Sequence, residues 1–155
     1  MSKPAVEFRE LRPGDVEHIA AHLRDQDAAE AAANGHTDIL LALRDSVAAS
    51  AAVVVATAHG EPGCIFGCVP AGTVLAPSAV VWMVGTHLVP QHQRVLARLA
   101  PRYILAMRER FGRLYNTVHA ENTLAVRWLR RMGFVLHEPH AHPDTGEMFH
   151  YFEMN

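Results

Sequence analysis

Residues 116–134 read NTVHAENTLAVRWLRRMGF, and the change of period inside this stretch decides the fold. With Tyr115 in front, residues 115–120 (YNTVHA) read as a strand. Asn122 then stands where a helix N-cap belongs. Leu124, Ala125, Trp128, Leu129 and Met132 follow on one helical face, and Gly133 supplies the stop. A strand feeding directly into an amphipathic helix, followed by Phe134 and a further extended run, is a unit that needs a sheet to pack on.

Working outward, residues 91–111 have helical spacing, with Val95, Leu99, Ile104, Met107 and Phe111 inward. Pro101 is expected to kink this helix or start a second segment. Before it, residues 79–84 (AVVWMV) are the most apolar strand and are expected at the centre of the sheet. Gly85 follows, where a close backbone approach is expected. Residues 51–58 (AAVVVATA) and 64–69 form a hairpin about His59-Gly60-Glu61-Pro62-Gly63. At the start, residues 6–11 alternate as a strand, Asp15 is expected to cap a first helix, and residues 27–33 read as a second. Thr37 or Asp38 caps a third. Residues 134–137 and 148–153 are the last strands, joined by a loop rich in Pro, His and Asp. The expected order is strand, two or three helices, hairpin, strand, helix, strand, helix, two strands. This is a mixed α/β (α+β) sheet with helices on both faces.

Composition narrows the function classes. The 155 residues are 50% hydrophobic and 19% charged, which excludes a disordered chain. Length and the lack of any linker imply one domain over 1–155. No apolar run reaches the ~18–20 residues of a membrane span, and no secretory leader is read, so the expected location is cytoplasmic. Charge is layered: residues 1–90 carry five basic and ten acidic groups, residues 91–131 nine arginines against Glu109 and Glu121, and the remainder four acids with no Lys or Arg. Arg94, Arg98 and Arg102 form a stripe, and Arg127, Arg130 and Arg131 mark the next helix. Such a surface suits phosphates or an acidic protein partner. Nucleic acid is disfavoured because interleaved aromatics and an overall basic charge are missing. Cys64 and Cys68, four apart in a strand, lie ~13 Å apart, too far for a disulfide. His137, His140, His142 and Asp144 match no strong zinc template, so no metal is expected.

The spacing Asn122, Ala125, Gly133, Phe134 resembles the late strand–helix segment of the GNAT superfamily of N-acetyltransferases. The element order along essentially the whole chain is similar as well. Residues 81–86 (VWMVGT), followed by a helix and then the 116–134 stretch, also resemble small GNAT-like proteins of short-tailed phages, which include internal virion proteins and acetyltransferases. The resemblance implies a GNAT-like fold of about seven strands with the fourth and fifth splayed apart. It implies acetyl-CoA as co-substrate in the gap, an amine acceptor on a small molecule or protein, and a diphosphate on the loop that opens the helix after the fourth strand.

In that loop the family places glycines, whereas this chain reads residues 86–97 as THLVPQHQRVLA, with no glycine in any register. Leu88, Val89, Gln93, Arg94, Val95 and Leu96 are the cofactor-binding candidates there, with Arg94 offering a guanidinium. Asn122 joins them from the late motif. The position of the family's acidic Tyr is Leu129, and residues 79–86 hold no carboxylate. His87 is then the nearest titratable group for a general base, with a solvent-facing strand-end His as the plainer alternative. His119 and Glu121 flank the other side of the splay. Two functions follow: an acyl-CoA-dependent N-acetyltransferase with a degenerate phosphate loop, or a non-catalytic GNAT-fold module of phage or prophage origin.

Overall fold

The computed structural model describes residues 5–155, so the first four residues of the 1–155 span lie outside the described residues. The elements run β1 (Val6–Glu10), α1 (Asp15–Ala21), α2 (Asp25–Ala33), α3 (Ile39–Ala49), β2 (Ala52–Ala58), β3 (Glu61–Gly72) and β4 (Pro77–Gly85). They continue with α4 (Leu88–Gln91), α5 (Gln93–Phe111), β5 (Leu114–His119), α6 (Thr123–Met132), β6 (Val135–Leu136), β7 (His140–Ala141) and β8 (Met148–Met154). One sheet holds all the strands in the order β1-β2-β3-β4-β5-β8-β6, with β7 on β8. Every pairing is antiparallel except β4–β5, which is parallel. The apolar run 79–84 is central, as its lack of a polar face demands.

Strand alternation sorts the core onto the two faces. Cys64, Phe66, Cys68, Val81, Leu114, Val118 and Phe152 pack under α5 and α6 with Leu96, Met107, Val126 and Trp128. Val55 and Ile65 pack on the other face against Val16 and Ile19 of α1 and Leu43 of α3, with Trp82 and Val84 beside them. α2 covers the same face at β5. Both cysteines are free and buried, and burial pushes the Cys64 thiol up to about 12, where it is inert.

Four local expectations are corrected. Asp15 does not cap α1: Gly14 precedes the helix, and the Asp15 carboxylate accepts both Arg9 guanidinium N–H groups at 2.7 and 3.0 Å and the Arg12 N–H at 2.7 Å. Pro101 does not divide its helix; α5 continues through it, and the break falls earlier, at His92, because α4 closes with the His92 N–H on the Leu88 carbonyl. Asn122 sits at the α6 N-cap but makes no side-chain capping bond, since its amide is engaged elsewhere. The last loop contains a short strand, β7, because His140 and Ala141 find the free edge of β8. Asp38 does cap α3, accepting the Leu41 N–H at 3.0 Å.

Candidate functional site

The β4–β5 seam is the feature that the rest of the sheet lacks. Its ladder consists of Ala79↔Leu114 and Val80↔Tyr115 and then stops. Beyond it the two parallel strands diverge. At the narrow end the Asn116 Nδ2 donates to the Val81 carbonyl at 2.7 Å, one step past the last ladder pair. At the wide end α2 inserts side chains between the strand tips. The Gly85 N–H donates to Asp27 Oδ2 at 2.9 Å, and the Gly85 carbonyl accepts the Arg24 N–H at 2.8 Å. Arg24 holds Asp27 through Nη2 and Nε at 3.1 and 3.3 Å and reaches Asn122 Oδ1 at 3.0 Å. The Asn122 amide donates to Glu30 Oε2 at 3.0 Å, and the β5 His119 N–H donates to Glu30 Oε1 at 2.6 Å. A chain of hydrogen bonds therefore runs from the tip of β4 to the tip of β5 where a ladder would otherwise stand.

Between these two closures lies a window through the sheet. A cavity of about 410 Å³ passes through it, lined by α2 and α3 residues on one face and by Ile104, Trp128 and Leu129 on the other. Met83, at the middle of the β4 edge, lines the cavity and has no partner on β5. Because every second residue of a strand points its N–H and C=O the same way, Met83 shares the direction of Val81 and Gly85, whose carbonyls meet Asn116 and Arg24 across the seam. Its backbone edge is thus available to a ligand lying in the window.

Electrostatically, the window has a polar side and a greasy side. Burial pushes the Glu30 carboxyl above its ordinary value and the neighbouring Asp27 adds to this, while the bonds from His119 and Asn122 oppose it. Asp27 is 6% exposed and is paired with Arg24. The opposite side, under α5 and α6, is lined by aliphatic and aromatic side chains.

The loop after β4 is placed as follows. Thr86 is fully buried; its hydroxyl donates to the Gly63 carbonyl at 3.1 Å and accepts the Leu88 N–H at 3.2 Å. Val89 is 2% exposed and its methyl group lies over Gly85, where any Cβ would collide with it. Leu88 packs on Gly63, Leu96 is buried in the core and Val95 packs against it. Gln93 and Arg94 are exposed in the first turn of α5, and His87 is exposed at the start of α4. Of the catalytic and cofactor-binding candidates, Asn122 lines the cavity, whereas His87 and the 88–96 candidates lie outside its lining; Leu129 and the motif residues Ala125 and Phe134 line it as well. His119 is brought to the wide end of the window, its ring 3.2 Å from Glu147, whereas Glu121 is exposed. Arg24, Asp27, Glu30 and Asn116 were not reached from sequence. Asp27 and Glu30 share one side of an Ala-rich helix, at i and i+3, which was the available signal. His137, His140, His142 and Asp144 do not converge: among the described residues no group of three or more metal-ligating side chains is present. Among those residues no helix is long and apolar enough to cross a membrane.

The splayed, mixed sheet with helices on both faces is the GNAT fold. A GNAT-family acetyltransferase from Streptococcus pneumoniae matches 96% of this chain and 98% of its own, with a TM-score of 0.63 and 14% identity. An aminoglycoside N(6')-acetyltransferase from Legionella pneumophila matches 99% of this chain and 94% of its own, with a TM-score of 0.69 and 10% identity. The spermidine N-acetyltransferase of Vibrio cholerae, in complex with CoA and spermine, matches 97% of this chain and 95% of its own, with a TM-score of 0.68 and 17% identity. At these identities the likeness is one of fold. No family model matches the chain, and no curated protein matches it in sequence.

Proposed function

We propose that this chain is an N-acetyltransferase that carries an acetyl group from acetyl-CoA to a primary amine through the β4–β5 window. The observation that carries the reading is the unpaired Met83 edge beside a cavity that crosses the sheet. An amide-bearing arm can pair with such an edge as an added strand does. In this reading the arm enters from the α5/α6 face. The diphosphate lies at the first turn of α5, where backbone N–H groups and the helix dipole favour an anion. Arg94 is the exposed cation at that turn, and Gln93 stands beside it. The side chains of Leu88, Val89, Val95 and Leu96 are committed to packing, and the N–H groups of Leu88, Val89 and Leu96 to Thr86 and His92, so these residues shape the loop rather than hold the diphosphate. Asn122 acts by holding Glu30 in place. The CoA-bound Vibrio cholerae neighbour supports the choice of cofactor.

The amine arrives from the α2/α3 face. The base role expected of His87 passes to Glu30, the carboxylate at the window whose raised affinity for a proton suits base work nearer neutrality. Glu30 takes one proton from the ammonium; the freed amine attacks the thioester carbonyl carbon and the C–S bond breaks. The second nitrogen proton goes to the departing thiolate, and Glu30 returns its proton to water. Leu129 at the usual Tyr position supplies no acid, so the leaving thiolate relies on the amine's own proton.

Thermal denaturation with acetyl-CoA tests this. At a hundredfold excess over Kd, binding to the native state alone adds about 2.7 kcal/mol and raises Tm. Arg94→Glu is expected to abolish most of that rise. The same titration separates the second reading, a non-catalytic GNAT-fold module of phage type, which expects no rise with millimolar acetyl-CoA or CoA.

A further inference from the structure

The acceptor chamber can be read by counting charge. Its titratable lining residues are Arg24, Asp27, Glu30 and, at the exposed rim, His36. Asp27 is spent: Arg24 grips it with two N–H groups, and the Gly85 N–H takes a further bond. Glu30 receives its two bonds from neutral donors, the His119 N–H and the Asn122 amide, so its charge is held in place but not cancelled. Each of its oxygens accepts one bond and retains a second acceptor site. One uncompensated carboxylate therefore faces the chamber. The wall beyond it is mainly apolar and carries no second acid, with Leu23, Ile39, Leu43, Trp82 and Val84 on the α3 side of the sheet beside the neutral Asn34 and Ser46. Trp82 is fixed there by its indole N–H on Ser50 Oγ at 2.8 Å.

We infer that the acceptor is a monoamine with an apolar body, its ammonium on Glu30 and its hydrocarbon against Leu43 and Trp82. This rests on the acyl-transfer reading for the direction from which the amine enters. A polyamine or aminoglycoside would set further ammonium groups against this wall with no acid to meet them, and an unpaired buried charge is strongly unfavourable. An amino acid would bring a carboxylate, and the guanidinium lining the chamber, that of Arg24, is already engaged.

The test is equilibrium binding to the unaltered chain at neutral pH, using phenethylamine, its neutral counterpart phenethyl alcohol, and spermine. Phenethylamine is expected to bind at least about tenfold more tightly than either, the range of a charge-assisted bond on an apolar anchor. Glu30→Gln should reduce amine affinity about tenfold and leave the alcohol unchanged. Spermine binding as well as or better than phenethylamine, or no preference for amine over alcohol, overturns the inference. The amine–alcohol comparison needs no variant, so it decides even if Glu30→Gln fails to fold. Acetyl-CoA binding, measured separately, tells the two claims apart. Phenethylamine binding without acetyl-CoA binding upholds the monoamine site and removes the transferase. Acetyl-CoA binding with no amine preference does the reverse.

Discussion

β4 is held by its two neighbours in opposite ways. Along β3 it is laddered over its whole length, from Gly72↔Pro77 to Cys64↔Gly85. Along β5 the ladder covers Ala79 and Val80 only, and side chains close the rest. A ladder uses groups that every non-proline residue carries, so it is indifferent to side-chain identity. A seam held by side chains depends on a few named residues, and it leaves backbone free between them. The first seam makes a wall and the second makes an opening.

That difference can be broken most sharply at Arg24. Arg24→Ala strands Asp27 as a buried, unpaired carboxylate, and the expected loss is about 3–5 kcal/mol, read from the urea midpoint. A loss under about 1 kcal/mol would show that the two ladder pairs suffice without the α2 network. Gly85→Ala comes next. Its Cβ meets the Val89 methyl on one side and Cys64 and Gly63 at 3.3 Å on the other, so overpacking should cost about 1–3 kcal/mol. Adding Val89→Ala should recover part of that loss; no recovery would mean that the crowding comes from the β3 wall instead. Asn116→Ala removes the bond to the Val81 carbonyl at the narrow end, for about 0.5–1.5 kcal/mol. An unchanged midpoint would assign the narrow end to the ladder alone.

The subtlest effect is in pH. Burial, helped by Asp27, raises the Glu30 carboxyl above its unfolded value, against the bonds from His119 and Asn122. The native state then holds the extra proton more tightly than the unfolded chain does. The stability this contributes is fully present below the unfolded value, about 4.3, and is lost as pH rises through the folded one. Relative to Glu30→Gln, the unaltered chain should therefore gain stability as pH falls from 7 towards 4. A difference that is flat across this range would mean Glu30 is as well solvated in the fold as outside it.

Much of the architecture was legible because it is periodic. The unbroken apolar run of 79–84 put that segment at the sheet's centre, and the 3.6-residue spacing of 123–132 gave α6 its buried face, with Gly133 as its left-handed stop. Two of the local misreadings share a cause. Asp15 and Asn122 are good caps by residue type, yet tertiary partners take the capping oxygens, Arg9 for one and Arg24 for the other, while Glu30 accepts from the Asn122 amide nitrogen. The site was less legible still. The loop after β4 is marked by chain order and family pattern, whereas the polar cluster at the window is assembled across separations of 58, 89 and 98 residues.

The chain's own order of apolar and polar residues determined which segments are strands and helices and which faces they bury, since periodicity is a property of neighbours in sequence. Whether two adjacent strands stay laddered or part, and which carboxylate is left uncancelled in the gap, was decided only when α2 was folded over the sheet. Desolvation and hydrogen bonding act through space, and residues far apart in the chain carry no local mark of meeting there.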